Sequence, residues 1–179
     1  ARRAELDRLA FDLPLFSFEE HAFFAPPQWV GSTARFLTAR AELASSTLAA
    51  LIQEINLTAS RHIVTIEDPI EYTFRPRHAF IRQREVGRDT PSFDQGLLDA
   101  LREDPDVLVV GEMREPETMR LTLNAAETGH LVLATAHSGT CAEALQRIAL
   151  AFPSEIQASV CAQLADCLLA VVCQRLKFR

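Results

Sequence analysis

A chain of 179 residues suits a single domain able to bury roughly two-thirds of its unfolded surface. Its 24 acidic residues outnumber 18 Lys plus Arg, and the net charge of −6 argues against a broad nucleic-acid or anionic-membrane surface. The longest apolar run, Leu168–Cys173, is about six residues against the ~20 that span a bilayer, and no charged-then-apolar leader opens the chain, so a soluble cytoplasmic protein is expected.

Residues 1–30 read as the tail or remnant of a preceding domain or linker, rich in aromatics and broken by Ala25-Pro26-Pro27. Ala34–Thr38 fits a first strand. Ser45–Asn56 fits a helix, with Leu48, Leu51, Ile52 and Ile55 on one face. A strand over His62–Ile66 follows, then Glu71–Phe80 as an edge or hairpin segment. Ser92 and Gln95 form a capping box for a helix across Phe93–Glu103. Val107–Val110 is too short an apolar run for a helix and suits a strand buried on both faces. Pro116 opens the next helix and Gly129 closes it. Leu131–Thr135 is a strand, and Thr140 with Glu143 caps a helix over Ala142–Ala151. Pro153 and Ser154 open a helix over Glu155–Cys167, and Leu168–Gln174 ends the pattern as a strand. Strands alternating with capped helices indicate a mainly parallel sheet flanked by helices, an α/β architecture.

The four cysteines, Cys141, Cys161, Cys167 and Cys173, include no CxxC pair, which disfavours zinc. They read as small apolar core residues in the thiol state.

Three of the predicted strands end in chemistry-bearing residues. His62–Ile66 runs into Glu67 and Asp68, Val107–Val110 into Gly111 and Glu112, and Leu131–Thr135 into His137. Parallel α/β sheets place ligand chemistry beyond these carboxyl ends. Glu67, Asp68 and Glu71 fall within five positions. A solvated acidic turn around Pro69 is the plainer explanation of that cluster taken alone. Beside Glu112, however, the carboxylates suit a Mg²⁺ ion and a polarised water attacking phosphate. His137 suits phosphate sensing, whereas His130, next to Gly129, suits a bond to a helix-end carbonyl.

The stretches TIEDPIEY (65–72), REVGRDTPSF (84–93), LREDPDVLVVGEMRE (101–115) and NAAETGHLVLATAHS (124–138) resemble the aspartate box, Walker B and histidine box of the secretion ATPase superfamily. Its members drive type IV pili and type II secretion. The likeness runs in collinear order from about Ser45 to Leu176. It implies a RecA-like P-loop NTPase core over residues 31–179, with the family's C-terminal helical region missing. It also implies ATP and Mg²⁺ as cofactors, and a homo-hexamer or a mixed ring with a paralogue. Further implications are an inner-membrane pilus or secretion platform protein as partner and a peripheral inner-membrane location. A RecA-like nucleic-acid binder is a further reading that the acidic balance disfavours, so no nucleic acid is expected. By position, Glu67 resembles the aspartate-box glutamate, Glu112 the Walker B glutamate near Mg²⁺, and His137 the histidine-box residue near the γ-phosphate. Either glutamate fits the role of base. Ser45, Ser46, Asp68, Glu71, Arg114 and His130 complete the implied nucleotide site, with Ser45 and Glu112 on the metal.

The resemblance fails at the phosphate loop. The pattern G-x-x-x-x-G-K-[ST] should occupy Thr38–Ser45, which reads TARAELAS. Only the final hydroxyl, Ser45, survives. Glycines let backbone N–H groups wrap a phosphate, and a Cβ obstructs that approach. The missing lysine forfeits a charge-assisted bond of about 1.5–3 kcal/mol, roughly tenfold to a hundredfold in affinity. Glu42 adds repulsion. Weak ATP binding and slow or absent hydrolysis are expected. The competing expectation is an impaired structural ring subunit or adaptor of the same machinery.

Overall fold

The computed structural model describes the backbone of residues 36–39 and 41–173, and side chains from residue 47 to 173. Residues 1–30, the segment read as a domain remnant, lie outside the described part, as does the expected end of the last strand at Gln174.

Eleven elements follow in order: β1 (Phe36–Ala39), α1 (Ala41–Thr58), β2 (His62–Glu67), β3 (Phe80–Glu85), α2 (Phe93–Leu101), β4 (Val107–Val110), α3 (Pro116–Glu127), β5 (Leu131–Ala136), α4 (Cys141–Leu150), α5 (Ser154–Cys167) and β6 (Ala170–Cys173). The strands form one six-stranded sheet in the order β3-β2-β4-β5-β1-β6. Every described pairing is parallel. The carboxyl ends of β2, β4 and β5 therefore meet at one edge.

The central strands alternate between two apolar layers. Val64, Ile66, Leu108, Val110 and Val132 face the layer that α2 to α5 cover. Ile63, Val107, Val109 and Leu133 face the layer built with Leu48 and Ile52 of α1. β4 is buried along its whole length, as its uninterrupted apolar run requires.

The helix-start signals act as the sequence indicates. Ser92 Oγ accepts from Gln95 N at 3.2 Å. Thr140 Oγ1 accepts from Glu143 N at 3.1 Å, while Glu143 Oε2 accepts from Gly139 N at 2.8 Å. Pro116 sits in the first turn of α3, and Gly129, just past that helix, adopts φ +103°. A side chain rarely tolerates that backbone, which is why glycine ends the helix there.

Three expectations need correction. The segment Glu71–Phe80 is neither a hairpin nor a strand. The edge strand is Phe80–Glu85, running parallel to β2. Its sequence, FIRQRE, offers little apolar alternation, since its exposed edge needs few core-facing residues. The helix expected from Ser45 begins at Ala41 and runs to Thr58. The cysteines are not uniformly core: Cys167 is buried but Cys161 is exposed on α5, and no disulfide joins any pair among the described residues.

Candidate functional site

The edge where β2, β4 and β5 end is drawn together at Gly111. Gly111 N donates to Ile66 O at 2.8 Å, Thr135 Oγ1 donates to Gly111 O, and Met113 N donates to Thr135 O at 3.0 Å. A Cβ on Gly111 would lie 3.0 Å from Ile66 O and 3.2 Å from Glu67 Cα. Both neighbours are main chain and have little room to give. Glycine thus lets the end of β4 press against the end of β2, bringing Glu67 and Glu112 into the lining of one cleft.

Glu67 is the more enclosed in hydrogen bonds. Its Oε1 accepts from Thr65 Oγ1 at 2.7 Å and from Gln83 Nε2 at 3.1 Å. Burial pushes its carboxyl pKa up from 4.5, only partly offset by these two donors, and the nearby Glu71 charge adds to the rise. A carboxyl of this kind accepts a proton more readily than a solvated one.

Glu112 is held differently. Its Oε1 lies in close polar contact with His137 Nε2 and forms an ion pair with Arg114 Nε at 2.6 Å. The Glu112 side chain is 15% exposed, whereas that of Arg114 is 69% exposed. Arg147 Nη1 donates to His137 O at 2.7 Å, fixing the turn that presents the imidazole. Asp68 and Glu71 are exposed at the cleft mouth, beside Pro69 and Tyr72.

The structure therefore brings together Glu67, Asp68, Glu71, Glu112, Arg114 and His137. It does not bring in His130. That residue precedes β5 at the opposite edge of the sheet, where Nδ1 meets Ala125 O at 3.0 Å and Thr128 Oγ1 at 3.1 Å. This is the helix-end bond its position beside Gly129 suggests. Ser45 and Ser46 lie on α1, with side chains outside the described residues.

Sequence reasoning missed Gln83 and Asn56. The segment between β2 and β3 is a strap without regular structure that walls the cleft opposite Leu48 and Ile52 of α1. Its peptide groups are satisfied by side chains. Gln83 takes Phe74 N and Tyr72 O, and the fully buried Asn56 takes Arg77 N and Arg75 O. A buried amide inside an amphipathic helix was the one available signal, because such a group demands partners.

The arrangement bears directly on the implied cofactors. β1 stops at Ala39 and α1 starts at Ala41, so helical backbone occupies Ala41–Ser45 where a phosphate-wrapping loop would run. Among the described residues, no group of three or more His, Cys, Asp or Glu side chains is arranged to hold a metal. A divalent ion approaching Glu112 would meet the Arg114 guanidinium. The helical backbone at Ala41–Ser45 and the Arg114 guanidinium at Glu112 are the two described features that count against a tightly held Mg²⁺-triphosphate.

The family model described as "Type II/IV secretion system protein" matches residues 44–178. The chain belongs to this family. It is similar to the type IV pilus retraction ATPase PilT of Pseudomonas aeruginosa, 48% identical over 132 residues, covering 74% of this chain and 38% of that protein. A putative type II secretion system protein E of Escherichia coli is 43% identical over 105 residues, covering 58% of this chain and 20% of that protein. Among solved structures, the pilus retraction motor PilT with bound ADP superposes with a TM-score of 0.77 at 42% identity, over 91% of this chain and 49% of that one. The secretion ATPase core is thus a RecA-like α/β domain with a parallel sheet flanked by helices. This chain spans well under half the length of the pilus ATPase it matches.

Proposed function

We propose that this chain is the core of a pilus or secretion motor subunit whose grip on ATP and Mg²⁺ is weakened. In this reading residues 31–179 form the working core and 1–30 the remnant of a neighbouring region. Kinship to a retraction ATPase supports the motor assignment. The single observation supporting weakened binding is the continuous helix from Ala41 under the sequence TARAELAS.

Within the cleft, Glu67 is the candidate proton acceptor, since burial raises its affinity for a proton. Glu112 and His137 are its candidate partners for charge and for sensing an anion, with Arg114 as their counter-charge. The subunit works in a homo-hexamer or in a mixed ring with an intact paralogue. It meets an inner-membrane pilus or secretion platform protein from the cytoplasmic side. No described helix is long and apolar enough to cross a membrane, so attachment through a partner suits the described residues.

A second reading, a structural ring subunit without turnover, is favoured by the ion-paired state of Glu112. A thermal-stability titration with Mg-ATP is the first test. No stabilisation at millimolar nucleotide supports weakened binding, and saturable stabilisation at micromolar nucleotide refutes it. Phosphate release, measured against a Glu112→Gln control, then separates the readings. A slow rate that the control abolishes supports a residual motor, and equal rates support the structural subunit.

A further inference from the structure

The strap and the Glu67 carboxylate share one residue. Thr65 and Gln83 are register partners in adjacent parallel strands, and Glu67 stands two positions beyond Thr65 on the same face. From that place the Gln83 amide makes three hydrogen bonds. Nε2 donates to Glu67 Oε1 at 3.1 Å and to Tyr72 O at 2.7 Å, and Oε1 accepts from Phe74 N at 3.0 Å. Both amide hydrogens and the amide oxygen are used.

The strap cannot fasten itself, since it pairs with no strand among the described residues. One end is held where Ile70 N donates to Glu85 Oε2 at 3.0 Å. The far end is held by Asn56 of α1, through Arg75 O at 2.9 Å, Arg77 N at 2.8 Å and, on its own carbonyl, His78 N at 2.9 Å. Gln83 holds the middle through the same amide that bonds Glu67, and a main-chain hydrogen bond from Glu71 to the Glu67 carboxylate ties the near part of the strap to it as well.

We propose that Gln83 is a positioning residue that sets the direction of the Glu67 carboxylate and locks it to the strap walling the cleft. The proposal rests on reading Glu67 as the proton acceptor of the cleft. Glu67 is bonded on one oxygen by both Thr65 and Gln83, with the Glu71 main chain as a weaker third partner, so losing either side-chain donor loosens the carboxylate. Only loss of Gln83 also releases Tyr72 and Phe74. The strap and the carboxylate then move together. Thr65, by contrast, touches the carboxylate without touching the strap.

The test uses the full chain and compares Gln83→Met, close in shape and without amide hydrogen bonds, with Thr65→Val. Two quantities are read by NMR: the titration midpoint of the Glu67 side-chain carboxyl carbon, and the exchange rate of the Phe74 amide proton. Each substitution removes a donor to the charged form while leaving Glu71 and Glu112 in place, so each raises the midpoint by about one pH unit. Gln83→Met also speeds Phe74 exchange at least about tenfold, the effect of one lost hydrogen bond of ordinary strength. Thr65→Val leaves that exchange unchanged.

An unmoved Glu67 midpoint in Gln83→Met overturns the proposal, as does unchanged Phe74 exchange. Should Gln83→Met lose its native spectrum, Gln83→Glu carries the same test. It adds a like charge and cannot donate to Tyr72 O, so the midpoint must rise and the Tyr72 side of the strap must loosen. Failure of the underlying reading looks different. A Glu67→Gln chain that releases phosphate as fast as its parent removes Glu67 as proton acceptor, while the coupled shifts in Gln83→Met would still stand.

Discussion

Two connections leave the carboxyl edge of the sheet, and they have had opposite fates. The passage from β1 to α1 has lost the glycines and lysine that would grip a phosphate, and its backbone goes directly into helix at Ala41. The strap from β2 to β3 keeps a partner for the peptide groups of Ile70, Tyr72, Phe74, Arg75 and Arg77, supplied by Glu85, Gln83 and Asn56. The difference teaches that the two halves of a nucleotide site answer to different demands. A phosphate loop is held open for a ligand and contributes little to the core. The strap and the ends of β2 and β4 are part of the packing, so they hold their shape whether or not a ligand is gripped.

The largest expected effect comes from rebuilding the lost half. Thr38→Gly, Leu43→Gly and Ala44→Lys together restore the loop pattern, and the lysine alone is worth about tenfold to a hundredfold in affinity. A Mg-ATP stability titration should change from flat to saturable. A flat response in the rebuilt chain would mean the carboxylate half has decayed too. Next comes the strap. Asn56→Ala strands a peptide N–H and a carbonyl, at a cost of about 2–3 kcal/mol in urea unfolding. A cost near zero would make the strap as dispensable as the loop.

A smaller loss, about 1–2 kcal/mol, is expected for Gly111→Ala, whose new Cβ is crowded by main chain at the end of β2. The same unfolding series reads it. The smallest effects are in pH dependence, where the two ends of β2 should respond with opposite sign. Glu67 keeps its proton above 4.5 because it is buried, so the folded state binds more protons there than the unfolded one. Stability contributed by Glu67 therefore falls as pH rises from 4.5 through its folded pKa, and Glu67→Gln flattens that slope. Burial alone would also lift Asp106, near the start of β2, but His62 N–H and the Arg61 guanidinium outweigh it and hold its pKa below 3.8. Its contribution is present above 3.8 and fades as pH falls through the lower folded value, a slope that Asp106→Asn removes.

Most of the site-bearing frame was legible because it is written in unbroken apolar runs and paired caps. Val107–Val110, Thr140 with Glu143, and Pro116 with Gly129 each announce one conformation. The convergence of Glu67, Glu112 and His137 followed from three such strands being parallel and adjacent. β3 was missed because FIRQRE turns little apolar surface inward. Gln83 and Asn56 were missed for a different reason. Their role is to satisfy peptide groups far along the chain, and no local spacing encodes that. Arg114 was placed among the nucleotide-site residues by its position beside Glu112, yet only geometry reveals that it closes an ion pair there.

Beyond the Glu85 carboxylate at its near end, the strap is fastened by two amide side chains, Gln83 and Asn56, that carry no charge. High salt therefore weakens the Arg114 pairing with Glu112, which depends on opposite charges, without touching the amide bonds that Asn56 and Gln83 make to the strap. Under such conditions the cleft would lose its electrostatic lining before it lost its shape.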